Sequence, residues 1–187
     1  MNARVVPPRI QRLYCYWVGH SRGERNAIYL ARMLAAHAAG HSVLSGRLGL
    51  DEHSFACLLR QYFPEAAMPG MAGQPAPAAE FPEREDLVQL LLNYRAGRSE
   101  SETWLAGIVA AGCGGSEHLW YDLGLWSRQD LQALMAFNFP GLVRRNLMDM
   151  KWKKFLYRQL CEATGHTLCR SPSCVACSEY DECFGPE

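Results

Sequence analysis

Apolar residues recur along this chain three to four positions apart, and nowhere do they alternate with the two-residue period of a strand. From about Glu24 to Ala39 the run places Ala27, Ala31, Leu34, Ala35 and Ala38 on one face, and Gly40 is the expected stop. A second helix starts at Asp51, a good N-cap residue, buries Phe55, Leu58, Leu59 and Tyr62, and ends before Pro64. Pro82 suits the first turn of a third helix over Glu83 to Ala96, with Leu87, Leu90, Leu91 and Tyr94 inward. Ser99-x-x-Glu102 reads as a capping box opening a fourth helix through Trp104, Leu105, Ile108 and Val109, which Gly112-Cys113-Gly114-Gly115 closes. Ser127-x-x-Asp130 caps a fifth, with Leu131, Leu134 and Met135 inward and Pro140 at its end. The sixth and longest runs from about Leu142 to Thr164 with Gly165 as its C-cap, on a stripe of Met148, Trp152, Phe155, Leu156 and Leu160. The expected fold is all-α: about six helices in helical hairpins, followed by an irregular C-terminal cysteine-rich loop.

The remaining stretches divide the chain. Residues 1–22 mix basic residues with Tyr14, Tyr16 and Trp17 without a clear period and read as a loosely packed arm. Residues 68–82 are rich in proline, glycine and alanine with Glu80 as the one charge, the composition of a linker. The expected organisation is an arm and helical hairpin over 1–67, the linker over 68–82, a helical core over 83–165 and a cluster-binding loop over 166–187. One internal echo stands out. Leu48-Gly-Leu50 and Phe63-Pro64 have counterparts in Leu123-Gly-Leu125 and Phe139-Pro140, and Phe55, Leu58, Leu59 and Tyr62 lie 76 residues before Leu131, Leu134, Met135 and Asn138. Two readings are open: a duplicated hairpin, or the common local grammar of turn, cap, helix and proline.

Composition narrows the class. Of 187 residues, 49% are apolar, and nineteen lysines and arginines balance nineteen acids, which argues against nucleic acid and against an anionic membrane surface as partners. The N-terminus lacks the apolar core of a signal peptide, and the longest uncharged apolar stretch, Leu105 to Gly115, is far too short to span a bilayer. The expected location is the cytoplasm, where clustered cysteines read as metal ligands before disulfides. There is no phosphate loop with lysine, no H-E-x-x-H and no G-x-S-x-G, so the expectation is a carrier rather than an enzyme.

The strongest chemical signal is Cys169, Cys174, Cys177 and Cys183, spaced C-x4-C-x2-C-x5-C. Thiolates select iron–sulfur clusters, zinc or copper(I) over hard cations. Structural zinc sites usually come as two close pairs with a long spacer, whereas no spacer here exceeds five residues. Iron–sulfur, zinc and disulfide readings all stay open on spacing alone. His118 is a candidate further ligand, although single histidines are more often structural. Cys113, in a glycine-rich stretch five residues earlier, is placed to join it. Cys57 reads as a small hydrophobe, Cys161 as the best fifth thiol, and Cys15 as a scattered residue. Arg144, Lys151, Lys154 and Arg158 fall on one face of the expected last helix: a local field for an anion or an acidic partner, or a solvated face.

Three blocks taken together, His118-Leu-Trp-x-Asp122-Leu-Gly-Leu125, Asp149-Met-Lys-Trp-Lys-Lys-Phe-x-Tyr157-Arg-Gln-Leu-Cys161 and the four-cysteine motif, resemble the NifQ family of nitrogen-fixation proteins. The likeness covers roughly 117–185 strongly and 1–110 only in its helical layout. It implies a molybdenum donor for nitrogenase iron–molybdenum cofactor assembly. The implied cofactors are an iron–sulfur cluster of 4Fe–4S or 3Fe–4S type, MoFe3S4 when loaded, and molybdenum. It implies Cys169, Cys174, Cys177 and Cys183 as ligands, with the fourth cysteine or His118 at the molybdenum corner. The implied partners are the cofactor-assembly scaffold, the nitrogenase iron protein and molybdate or another molybdenum source. An iron–sulfur electron-transfer or redox-sensing protein, and a structural zinc module of a helical interaction protein, are the competing readings.

Overall fold

The computed structural model describes residues 5–44, 46–67 and 81–164, and every regular element among them is a helix. In chain order these are α1 (Pro8–Gly19), α2 (Ala27–Ala38), α3 (Glu52–Tyr62), α4 (Arg84–Asn93), α5 (Ser101–Cys113), α6 (Leu119–Asp122), α7 (Arg128–Asn138), α8 (Pro140–Arg145) and α9 (Trp152–Thr164). Most of the expected linker, Gly165 and the cysteine-rich loop lie outside the described residues. No helix among the described residues is long and apolar enough to cross a membrane.

The centre is α5. Thr103 is its one exposed residue, and Trp104, Leu105, Ile108, Val109 and Ala110 are all buried, so it is apolar round its whole circumference. Such a helix has to be enclosed, and α3, α4 and α6 all pack on it. Gly112 lets one neighbour come close: a Cβ there would fall 2.6 Å from Leu123 Cδ2. The helix starts differently from the capping box read in the sequence. Glu102 accepts from the Gly97 and Arg98 amides at 2.7 and 2.9 Å, while Ser99 Oγ accepts from the Ser101 amide.

Among the described residues nine helices stand in place of the expected six or so, for three local reasons. Residues 8–19 are a helix, not a loose arm: Pro7 and Pro8 open it, and Ile10 and Trp17 are buried, with Trp17 edge-on to Phe63 at 5.2 Å between ring centroids. Interleaved arginines disguised that period. A single turn, α6, forms after the glycine-rich break. The expected long helix over 142–164 is broken between α8 and α9. Asn146 causes the break by donating to the Met150 carbonyl and accepting from the Met150 amide at 3.0 and 2.9 Å, bonds that compete with the helical ladder. Asp149 turns the chain at φ 47°, and Arg128 donates to its carbonyl at 2.8 Å. Met148, expected in the apolar stripe, is 84% exposed, and its neighbour Leu147 is 86% exposed. The break also dissolves the four-cation face, because Arg144 belongs to α8 and Lys151 precedes α9. Arg158 pairs with Glu162 at 2.8 Å.

The sequence echo is a structural repeat. Asp51 caps α3 and Ser127 caps α7, here with a full capping box to Asp130, and both helices run for eleven residues. They end alike: Phe63 at φ −138°, ψ 58° and Phe139 at φ −129°, ψ 55°, each donating its amide to a carbonyl four residues back at 2.7 Å. The preceding hairpins correspond too, with α1 packed on α2 and α4 on α5. Arg22 donates its amide to the Tyr62 carbonyl at 3.2 Å, and Ala96 donates to the Asn138 carbonyl at 2.9 Å. The repeats are cross-linked by corresponding contacts. Asn26, at the start of α2, exchanges two amide hydrogen bonds with Asn138 at 2.8 and 2.9 Å, while the Tyr62 hydroxyl bonds the side chains of Ser101 and Asn26. A further link is Arg32 of α2, which reaches Asp130 at 2.6 Å beneath the Trp126 ring.

His37, in the last turn of α2, hydrogen-bonds the Leu44 carbonyl at 2.9 Å through Nδ1, which fixes the N–H on that nitrogen. Burial lowers its pKa, against the raising effect of that bond. The unfolded chain therefore takes up the proton first. Stability from His37 is complete above about pH 6.5 and is lost as pH falls through that value towards the lower folded one. Urea unfolding at pH 7.5 and 5.5 is expected to show a smaller fall in stability for His37→Asn than for the parent. An equal fall in both assigns the slope to other groups.

Candidate functional site

The four cysteines of the C-terminal motif lie outside the described residues, starting five positions after Thr164. What the described structure contributes is the segment before them, α9, and the turn that carries His118. That turn is built from local bonds. His118 stands at the N-cap of α6, half-buried, and its carbonyl accepts from the Tyr121 and Asp122 amides at 2.8 and 3.0 Å.

Asp122 closes the turn. Its side chain is buried, and Oδ2 accepts from the Glu117 amide at 3.1 Å and from the Lys153 ammonium. Lys153 Nζ also donates to the Gly115 carbonyl at 2.8 Å. Residue 115 has to be glycine for this contact, since a Cβ there would lie 2.3 Å from Asp122 Cγ. Burial pushes the Asp122 carboxyl above its ordinary range, and the charge and hydrogen bond of Lys153 pull it back. Asp122 Oδ1 has no hydrogen-bond partner among the described residues. Removing one member of such a pair costs about 3–5 kcal/mol, because the other charge is left uncompensated.

Cys113 ends α5 beside this pair and is buried, not on a flexible stretch. Burial pushes its thiol up to about 12, outweighing the nearby Lys153 charge, while Asp122 adds to the rise. Cys113 is thus an enclosed thiol at the end of α5. Cys161 is buried on α9, with its thiol raised first by burial. Cys57 is partly buried and packs against the core, with its sulfur 3.1 Å from Arg60 Nη2 and 3.6 Å from His53 Nε2. Cys15 is exposed on α1. Among the described residues no three histidine, cysteine or acidic side chains are grouped to hold a metal ion.

Sequence reasoning set Asp122 beside His118 but did not single out its partner, Lys153. A signal was present: Leu156, Tyr157 and Leu160 stand three, four and seven residues after Lys153, which places the lysine on the face that packs inward.

Native protein treated with iodoacetamide at pH 8 and mapped by peptide mass is expected to be labelled at Cys15. Cys113, with roughly one thiolate in ten thousand at that pH, is expected to react only after denaturation. Comparable native labelling of both contradicts the burial of Cys113.

The comparisons with known proteins agree with one another. The NifQ family profile matches residues 29–185. Protein NifQ of Azotobacter vinelandii is 46% identical over 182 residues, covering 91% of this chain and 92% of the relative. Protein NifQ of Rhodobacter capsulatus is 39% identical, covering 84% and 87%, and that of Klebsiella pneumoniae 34%, covering 83% and 96%. No solved structure gives a significant match. With the profile spanning most of the chain, including the His118 turn, α9 and all four clustered cysteines, the chain belongs to the NifQ family of nitrogen-fixation proteins.

Proposed function

We propose that this protein is a metallocluster carrier that donates molybdenum for assembly of the nitrogenase iron–molybdenum cofactor. The reading rests on one observation: the C-x4-C-x2-C-x5-C run falls inside the stretch matched to the NifQ family. Its donor set suits the cargo, since four soft thiolates on fifteen residues favour iron–sulfur ligation over hard cations. Cys169, Cys174, Cys177 and Cys183 would hold it. A bound iron–sulfur unit would supply a sulfide-rich frame in which molybdenum occupies one corner.

Three thiolates suffice for the three irons of such a unit. The molybdenum corner can then take a weaker, exchangeable ligand, which a donor requires, and His118 or the fourth cysteine is that ligand. The chain's own residues set the rest. Cys113 and Cys161 are buried, and burial raises both thiols. The protein carries no turnover chemistry in this reading. It acts in the cytoplasm and hands molybdenum to the cofactor-assembly scaffold together with the nitrogenase iron protein.

Anaerobically purified parent protein is expected to be coloured and to contain iron, sulfide and molybdenum. Cys174→Ala and Cys177→Ala should each abolish the visible absorption and bound iron, whereas Cys15→Ala keeps both. Full iron retention in the two central variants sinks the assignment. A colourless parent with zinc, or a coloured one with iron and sulfide but no molybdenum, favours a structural or an electron-transfer role instead.

A further inference from the structure

The turn between α8 and α9 puts two large apolar side chains in water. Leu147 and Met148 are its central residues, 86% and 84% exposed, and the Asp149 amide closes it by donating to the Asn146 carbonyl at 3.2 Å. Apart from Val5, at the start of the described chain, no other large apolar side chain among the described residues is even half exposed. A single such side chain needs no explanation, but two in succession form a patch.

The turn is held in place. Asn146 brackets it with its two bonds to Met150, and Arg128 donates to the Asp149 carbonyl from α7. Asp149 takes up a left-handed conformation, φ 47°, that only glycine adopts freely. Strain of this kind persists where surrounding bonds over-determine it, and it concentrates at sites that bind. A clamped turn also has little freedom left to lose when something docks on it.

Charge says what kind of surface fits. Arg128 is set against Asp149 and Arg158 against Glu162. Arg144 and Arg145, exposed in the last turn of α8, remain, and they make this end of a formally neutral chain positive. Arg145 lies on the Tyr94 ring, 4.8 Å from its centroid, and Arg158 reaches Met150 Sδ at 3.8 Å, so cations stand on both sides of the turn. Methionine and arginine are enriched at protein interfaces, and a few anchors there carry most of the binding energy. A bilayer is a poorer match: membrane binding grows with the apolar area inserted, and here two side chains sit beside the exposed Asp149 carboxylate.

We propose that the 146–150 turn is a docking knob: Leu147 and Met148 enter an apolar recess on an acidic partner protein, whose rim meets Arg144 and Arg145. The choice of partner rests on the carrier reading above, namely the scaffold or the iron protein that receives molybdenum.

The test uses the full chain with Leu147→Ser and Met148→Ser together. The variant is expected to unfold at the parental temperature, because neither side chain is enclosed. A clear drop shows that the chain itself covers them and overturns the proposal. Binding is then measured by interferometry to the purified scaffold and to the purified iron protein. The parent is expected to bind at least one of them, and the variant to bind it about tenfold or more weakly. Arg144→Glu is expected to slow association severalfold at low salt and little at high salt. Parental binding by the double variant overturns the proposal, as do a parent that binds neither protein and a low-salt association rate that Arg144→Glu leaves unchanged. It is overturned equally by a parental dimer that the double variant loses, which makes a second copy the occupant. Vesicles of phosphatidylglycerol and phosphatidylcholine that bind the parent but not the variant make it a membrane and do the same. Metal analysis judges the carrier reading separately. A molybdenum-loaded parent whose variant binds normally keeps the carrier and loses the knob, whereas a parent without molybdenum loses the carrier while the binding assay still decides the knob.

Discussion

A helix without a polar face cannot lie on a surface, and α5 is such a helix. Its burial along Trp104 to Cys113 requires neighbours on every side, and the rest of the fold is the set of elements that supply them. This accounts for the large investment in short amphipathic helices. Each covers one strip of α5 or covers another element that does. It also explains why α5 can carry Gly107 and Gly112 despite their poor helix propensity: the glycines admit Leu50 and Leu123, and close packing offsets the loss.

The two-fold repetition follows the same logic. Each copy consists of a helical hairpin, a leucine–glycine–leucine turn and an eleven-residue helix ended by Phe-Pro. An isolated hairpin of this length buries too little to be stable, but two copies can shield one another. The polar cross-links, Asn26 with Asn138 and Tyr62 with Ser101, stand at corresponding places with different chemistry. Each satisfies buried polar atoms that would otherwise cost about 1–3 kcal/mol apiece. They specify which helix ends meet more than they add net stability.

At the C-terminal end of α5 the enclosure changes character. Cys113, Gly115, Asp122 and Lys153 bring a full ion pair into the interior beside the turn of His118. A buried lysine needs partners for its protons, and it finds a carboxylate and a carbonyl there. Arg32, stacked on Trp126 and bonded to Asp130, performs a related structural task at the repeat interface.

The sequence by itself determined the all-helical class, the extents of α2, α3, α4, α5 and α7 to within a few residues, the caps at Asp51 and Ser127, and the family. These are short-range matters: a cap bonds an amide three residues away, periodicity is read within a turn or two, and a cysteine motif is a local spacing. It also placed Asp122 beside His118. The tertiary structure alone decided the rest. Whether the arginine-rich stretch over 8–19 packs as a helix depends on the surface that α2 offers to Ile10 and Trp17. The break at Asn146 arises from side-chain bonds to Met150 that an unbroken apolar stripe does not announce. Cys113 became a protonated core thiol because α5 is enclosed, and Lys153 became a buried tether because Asp122, thirty-one residues away, faces it. Burial of a charge depends on what lies opposite it, and no local pattern encodes that.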